Sequence, residues 1–462
     1  MAVKTLENSS IALLVKQQRA FFESGVTLDV QERVKQLRKL RDVIQKAEQQ
    51  IYDALIADFG KPVFETYTSE IGVVLEEIGI MLKNIKKWTS PQLVGGNLAI
   101  FPSKSYIYPE PFGVSLVIGA WNYPFNLTIA PGVGAIAAGN TVIFKPSRTA
   151  LYTYKLIYKL ISENFDPRYI AVADEDVDNN QLLQQQYDYI FFTGGVEVGK
   201  IVARAAAEHL TPNTLELGGK SPCIVDADVD IDIAAKRIVW GKFFNAGQTC
   251  VAPDYLLVHK NVKDKLFTAM KKAVKEFYGD NPATSPDYAR VINAKHFNRL
   301  KSMITGGRIV FGGVTHESDN YIAPTLIDDI EFNHPLMGDE IFGPILPAFT
   351  VDNMEEAFRI AKTFPKPLAF YLFSNNYKTQ QKAVQTIQFG GGCINDCISH
   401  FINENLPFGG IGNSGVGAYH GKFSFDTFTH YKGVLNRVVW PDVPLRYPPY
   451  ASKLPIVKQV IK

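Results

Sequence analysis

Cysteine is scarce in this sequence: Cys223, Cys250, Cys393 and Cys397 are the only four in a chain of 462 residues. So few exclude a disulfide framework and point to a reducing, cytoplasmic setting. Long apolar runs are missing as well. Nothing approaches the roughly 18 consecutive apolar residues that would cross a bilayer, and the longest early run, residues 11 to 15, is too short for the core of a signal peptide. Neither charge dominates, with 48 Lys plus Arg against 46 Asp plus Glu, so no global field draws the protein to nucleic acid. Internal repeats and low-complexity tracts are absent.

What is there fits a large globular protein, 46% apolar and 20% charged. Its length predicts two large domains, or two domains plus a small projecting element. One local charge bias stands out: from Tyr431 onward there are six basic residues (Lys432, Arg437, Arg446, Lys453, Lys458, Lys462) and one acid, Asp442. A solvated tail accounts for this. Weak peripheral contact with an anionic membrane is the sharper alternative, although the tail offers little apolar area for it.

Residues 29 to 59 read as one amphipathic helix, stopped by Gly60 and Pro62. A second helix is expected from about 66 to 88, then a strand pair within the aromatic, Pro- and Gly-rich stretch 90 to 113. From residue 114 short apolar strands alternate with helices, an α/β texture: strands at 115 to 119 and 141 to 145, helices at 131 to 138 and 152 to 164. The strand at 189 to 192 runs through Thr193, Gly194 and Gly195 into a helix, which is the layout of a phosphate-binding turn. A second α/β region is expected from about 214 to 389. The strand-like stretch 425 to 440 is expected to pair with the early aromatic segment as a separate arm.

Four groups of residues suggest chemistry, each with a plainer explanation beside it. Cys250 ends Asn245-Ala246-Gly247-Gln248-Thr249-Cys250, where small and polar neighbours leave room for a ligand; a lone thiol is also a good small core residue. Glu216 lies in Leu215-Glu216-Leu217-Gly218-Gly219-Lys220, and burial among leucines would raise its pKa toward that of a general base. A surface turn would accommodate it equally. Gly194, Gly195 and Gly199 depart from the usual dinucleotide spacing, so helix packing competes with cofactor binding. Asn122 follows a strand end and offers an amide donor, or simply forms a turn.

Together these motifs resemble the aldehyde dehydrogenase superfamily, in order and approximate spacing, along essentially the whole chain. The match includes Trp121 to Phe125, Phe144-Lys145-Pro146-Ser147, Phe192-Thr193-Gly194-Gly195, Leu215 to Lys220, Gly247 to Cys250, Glu340-Ile341-Phe342-Gly343-Pro344 and Pro407-Phe408-Gly409-Gly410. The segment Arg446-Tyr447-Pro448-Pro449-Tyr450 looks like the class 3, fatty-aldehyde-type branch. That resemblance implies an α/β fold: a Rossmann-like cofactor domain (1–89 and 113–211), an α/β catalytic domain (212–424), a small β oligomerisation arm (90–112 and 425–441) and a tail (442–462). A homodimer without a membrane anchor is the expected form.

The resemblance also implies roles. Cys250 would be the nucleophile, Asn122 and the Cys250 amide the oxyanion donors, and Glu216 the base that hydrolyses a thioester. NAD or NADP would lie against Trp121, Lys145, Ser147, Arg148, Thr193, Gly194, Gly195, Glu340 and Phe342, and no metal is expected. Many NAD-preferring relatives carry Glu where this chain has Arg148, so NADP is expected to be tolerated. Tyr67, Tyr123, Trp240 and Thr249 would line a tunnel for medium or long aliphatic, or aromatic, aldehydes. Transfer of the acyl group to coenzyme A, and a non-catalytic structural role, are the competing readings; Glu216 argues against the first, and the joint presence of Cys250, Glu216 and Asn122 against the second.

Overall fold

The computed structural model describes residues 10–97, 100–442 and 444–460. The predicted α/β architecture is present as two mainly parallel sheets and an antiparallel arm. In the first sheet the strands run in the order Gly415–Val416, Asn213–Glu216, Tyr189–Thr193, Val114–Ile118, Thr141–Lys145, Ile170–Val172. All pair in parallel except the short first strand. The chain leaves the central strand Val114–Ile118 in one direction and later returns on its other side at Tyr189–Thr193. In doubly wound sheets the crevice beyond such a reversal is where a dinucleotide lies.

The second sheet has seven strands, with Ile345–Val351, Tyr255–His259 and Pro222–Val225 at its centre. The arm pairs Gln92–Val94 and Thr429–Arg437 on either side of Ser103–Pro111. Residues 442 and beyond include a short helix, Leu454–Val460. No helix among the described residues is long and apolar enough to cross a membrane. Lys462 of the basic tail lies outside the described residues.

Several expectations need correction. The helix expected over 29–59 is two, Val30–Lys46 and Glu48–Phe59, broken where Ala47 leaves helical geometry at φ −93°, ψ 4°. The boundary at 211/212 precedes a strand, Asn213–Glu216, that belongs to the first sheet, and Gly415–Val416 pairs beside it. Tyr419, Phe425 and Phe428 likewise pack into the core around that sheet. Sheet membership is decided by pairing between distant segments, which local composition does not record.

The helix expected at 131–138 begins at Asn126 and is buried along its entire length, through Ala138. A helix apolar on every side suits only an interior, but both its ends then need partners away from water. At the N-terminus the Glu70 carboxylate accepts from the Phe125 and Asn126 amides at 3.1 and 2.9 Å. At the C-terminus the buried Arg33 guanidinium donates to the Ala137 and Ala138 carbonyls at 3.2 and 2.9 Å. Each charge also opposes the adjacent end of the helix dipole. This capping from distant residues explains why the helix starts a turn before Pro131.

Asn140, just past that helix, is wholly buried and joins three segments. It donates to the Ala135 and Phe428 carbonyls and accepts from the Gly113 amide. We expect Asn140→Ala to cost about 2–3 kcal/mol through the buried groups it leaves unpaired. Urea unfolding would show this as a lower midpoint at an unchanged slope.

Candidate active site

At the carboxyl ends of the two central strands of the first sheet, a groove of about 640 Å³ opens. Trp121, Asn122, Lys145, Ser147 and Arg148 line it from one side, and Thr193, Gly194 and Gly195 from the next strand. Glu216 reaches it from the end of the strand beyond, and Cys250, Glu340 and Phe342 close it from the second sheet's side. Every residue singled out in sequence as catalytic or cofactor-facing therefore reaches one cavity.

Behind Cys250 lies a small apolar pocket of about 60 Å³, lined by Tyr123, Thr249, Phe244, Ile398 and Tyr419 among others. Cys250, Glu216, Thr193 and Leu217 belong to both cavities. The thiol and the carboxyl thus form the wall between a polar groove and an apolar pocket. Tyr67 and Trp240 are not in that pocket. They line an outer cavity of about 560 Å³, which shares Phe244, Ile398, Phe401 and His420 with the inner one.

The loop carrying Cys250 is held in an unfavourable backbone conformation. Asn245, Ala246 and Gly247 have φ of 54°, 50° and 71°, a region that non-glycine residues avoid. Side-chain bonds hold it there. The Gln248 amide group donates to the Asn245 and Arg290 carbonyls and accepts from the Ile292 amide. Asn245 donates to the carbonyls of Asn122 and Gln248, while its own amide donates to the buried Glu65 at 2.9 Å. Asn122 donates to the Gln248 carbonyl at 3.0 Å. A primary amide has a second N–H, so this bond fixes Asn122 and leaves a donor free.

Beneath the loop sits Lys61, 0% exposed and paired with Glu70 at 2.7 Å. Its ammonium also stands 4.0 Å from the centre of the Tyr123 ring, whose hydroxyl bonds Thr249 at 2.5 Å. Lys61, Glu65, Glu70, Asn245 and Gln248 were not anticipated from the sequence. Asn245 and Gln248 stood out only as polar neighbours of Cys250, and Lys61, Glu65 and Glu70 only as charged residues soon after Gly60, where exposure is the ordinary expectation.

Titration in the site is governed by burial. Glu216 is 2% exposed, neither carboxyl oxygen has a hydrogen-bond partner, and desolvation raises its pKa well above the usual value. Burial and then the nearby Glu340 and Glu216 push the Cys250 thiol up, opposed by the amides of Cys250 and Val251. Burial followed by the charge of Asp254 raises Glu340 to about 8, against a hydrogen bond from the Gly219 amide. Lys145 is lowered to about 8 by burial and by Arg148.

These features suit a dinucleotide. Lys145 donates only to the Pro146 carbonyl, at 3.3 Å, and Thr193 Oγ1 is buried without a partner. Gly195 precedes the helix Val196–Glu208 with no side-chain cap, leaving its first amides open to an anion. A side chain at Gly218 would meet Glu340 Oε2 at 2.0 Å, so glycine there gives that carboxylate its place. Lys220 pairs with Asp254 at 2.5 Å, and Asp254 accepts from the Ile341 amide, which anchors the loop behind Glu340. Trp121 packs against Phe342 and His296, with ring centres 5.3 and 5.0 Å away.

A thiol and a buried carboxyl set between a groove that suits a dinucleotide and an apolar pocket are the arrangement an aldehyde-oxidising dehydrogenase requires. The chain belongs to the aldehyde dehydrogenase family, which it matches over residues 1–434, and it oxidises aldehydes with NAD or NADP. It is 47% identical over 447 residues to the 4,4'-diaponeurosporen-aldehyde dehydrogenase of Staphylococcus aureus, covering 96% of this chain and 97% of that protein. It is 45% identical over 450 residues to a Rattus norvegicus enzyme called "aldehyde dehydrogenase, dimeric NADP-preferring", covering 97% and 99%. A solved structure described as the substrate-bound state of Staphylococcus aureus AldH superposes with a TM-score of 0.96 at 46% identity, covering 98% of this chain and 100% of that one. An indole-3-acetaldehyde dehydrogenase complexed with NAD+ gives 0.83 at 25% identity, covering 92% and 88%.

Two stability predictions follow from the buried charges. The folded chain keeps Glu216 protonated above the value of 4.5 at which it ionises when unfolded, so it binds more protons and loses stability as pH rises from there. Glu216→Gln should therefore raise Tm, with a gain that grows from pH 5 to pH 8 in calorimetry. Lys61→Met should cost about 3–5 kcal/mol, because it strands the Glu70 carboxylate in the interior.

Proposed function

We propose that this protein oxidises medium- or long-chain aliphatic, or aromatic, aldehydes to carboxylic acids through a thioester on Cys250. The observation that carries the reading is the shared wall: Cys250 and Glu216 face both the groove and the apolar pocket. An aldehyde entering through the rings of the outer and inner cavities would bring its carbonyl carbon to the sulfur. The Cys250 thiol gives up its proton to solvent through the groove and attacks as thiolate, forming the C–S bond and an oxyanion. The free N–H of Asn122 and the Cys250 amide would receive that oxyanion, each donor worth roughly 3 kcal/mol in the transition state.

Lys145, Glu340, Phe342 and the amides at Gly195 would hold NAD or NADP, which would supply the hydride acceptor for oxidation of the adduct to a thioester. Trp121, Ser147, Thr193 and Gly194 complete that groove. Glu216 then takes a proton from water, the water oxygen attacks the thioester carbon, and the C–S bond breaks to restore Cys250. Because burial raises Glu216, it is ionised, and so active as a base, only on the alkaline side of the normal carboxylate range. Turnover should rise with pH through that region. Glu216→Gln should release about one reduced cofactor per site in a burst, then turn over about 10²–10⁴-fold more slowly.

Arg148 is exposed in the groove and spends one N–H on the Glu175 carbonyl, leaving others for a 2′-phosphate. NADP should therefore be used alongside NAD, and Arg148→Glu should raise KM for NADP with little change for NAD; indifference to the swap would refute this role. The arm exposes Leu93, Val94, Val434 and Leu435, which supports a homodimer formed through it. The scarcity of cysteine supports a cytoplasmic location, and Leu454, Ile456, Lys453 and Lys458 supply at most a weak peripheral membrane contact.

The deciding experiment follows absorbance at 340 nm with hexanal, dodecanal and benzaldehyde, NAD and NADP in parallel, and Cys250→Ala as control. Cofactor reduction that vanishes in the variant is the expected result. Dependence on coenzyme A would assign acyl transfer, and no reduction with any pair would favour a non-catalytic role.

A further inference from the structure

Tyr123 and Tyr419 both line the small pocket behind Cys250, and their hydroxyls are used differently. The Tyr123 hydroxyl is bonded to Thr249 at 2.5 Å. Ser69, in the same pocket, donates its hydroxyl to the Glu65 carbonyl at 2.6 Å, and Thr193 Oγ1 is buried. The Tyr419 hydroxyl bonds nothing among the described residues and is not shut away from the pocket, so it opens onto that space.

The rest of Tyr419 is held in place. The residue is 2% exposed, and its ring stands edge-on to Phe191, Phe408 and His420, with centres 5.0, 5.7 and 4.2 Å away. Its amide donates to the Phe408 carbonyl at 2.8 Å. Burial, followed by the charges of Glu216, Cys250 and Glu77, holds the phenol well above its usual range. Tyr419 therefore keeps its proton and is a neutral hydrogen-bonding group, not a base. Two of the three charges that act on it are those of the nucleophile and the carboxylate, so the hydroxyl lies toward the reacting centre.

Glu216 lines the same pocket, and neither of its oxygens has a partner in the chain. A water held by one group alone is poorly aimed, since ordered waters make about two to four hydrogen bonds. The pocket's volume, about 60 Å³, exceeds the roughly 10–15 Å³ that one water requires.

We propose that Tyr419 is a further catalytic residue whose hydroxyl, together with Glu216, holds the water that hydrolyses the Cys250 thioester. This rests on the aldehyde chemistry proposed above and completes its last step. The water directs one O–H at the Glu216 carboxylate and the other at the Tyr419 oxygen, which leaves a lone pair for the acyl carbon. Glu216 takes the first proton, the C–O bond forms, the C–S bond breaks and Cys250 leaves as thiolate. Tyr419 neither gains nor loses a proton.

The test follows that step alone in single turnovers with hexanal limiting and NAD or NADP in excess. Absorbance at 340 nm reports acylation, and intact-protein mass spectrometry of acid-quenched samples reports decay of the acyl-enzyme. Hydroxylamine, a nucleophile that needs no base to activate it, is added in a second mix after the cofactor has been reduced. Tyr419→Phe keeps the ring contacts and removes only the oxygen. It should reduce cofactor at the wild-type rate, lose its acyl group to water about tenfold or more slowly, and be discharged by hydroxylamine as fast as the wild type. Its Tm should be unchanged or higher, because the hydroxyl bonds nothing in the protein. Unchanged decay in water overturns the role. So does a slowing shared by cofactor reduction and hydroxylamine discharge, or a fall in Tm, either of which makes the hydroxyl structural. A wild type that forms neither reduced cofactor nor acyl-enzyme would instead overturn the aldehyde reading itself.

Discussion

The Lys61 ammonium, shut away from water, is the contact on which the site's geometry depends. It compensates Glu70, and Glu70 in turn caps the buried helix Asn126–Ala138, whose preceding turn carries Asn122 and Tyr123. It also lies beside Glu65, which receives the Asn245 amide and so supports the strained loop that ends at Cys250. Two carboxylates that would be costly to bury alone are tolerable around one cation. The expense is justified by position: Asn122 and the loop that ends at Cys250 are referred to the same internal point.

Polar groups close to the thiol divide into two sets. Gln248, Asn245, Tyr123 and Thr249 bond one another or the backbone and hold shape, and Asn122 gives one N–H to the same purpose and keeps the other. Glu216 and Thr193 Oγ1 are buried and unpaired. An unsatisfied buried group weakens the fold, and its retention marks a place where stability yields to chemistry. Glu216 therefore combines a raised pKa, a destabilising environment and access to both cavities, which is the combination a base for thioester hydrolysis requires.

The two cavities differ as their contents would. The groove offers amides, Lys145, Arg148 and Glu340 to a polar, charged cofactor. The pocket behind Cys250 offers rings and aliphatic side chains to an apolar chain. The two cavities thus meet at Cys250 from different sides.

Much of this was legible in sequence because it is local. The strand, glycine turn and helix around Thr193 to Val196, the reactive segment ending at Cys250 and the acid among leucines at Glu216 are short motifs whose spacing survives in one dimension. So was the α/β alternation, which follows from the period of apolar residues. The placement of Asn213–Glu216 in the first sheet, the separation of Tyr67 and Trp240 from the inner pocket, and the service of Lys61, Glu65 and Glu70 as an internal anchor were decided by tertiary structure alone. The physical reason is common to all three: sheet pairing, cavity walls and charge compensation depend on which distant segments meet, and a charged residue in a helical stretch gives no local sign that its partner waits inside the protein.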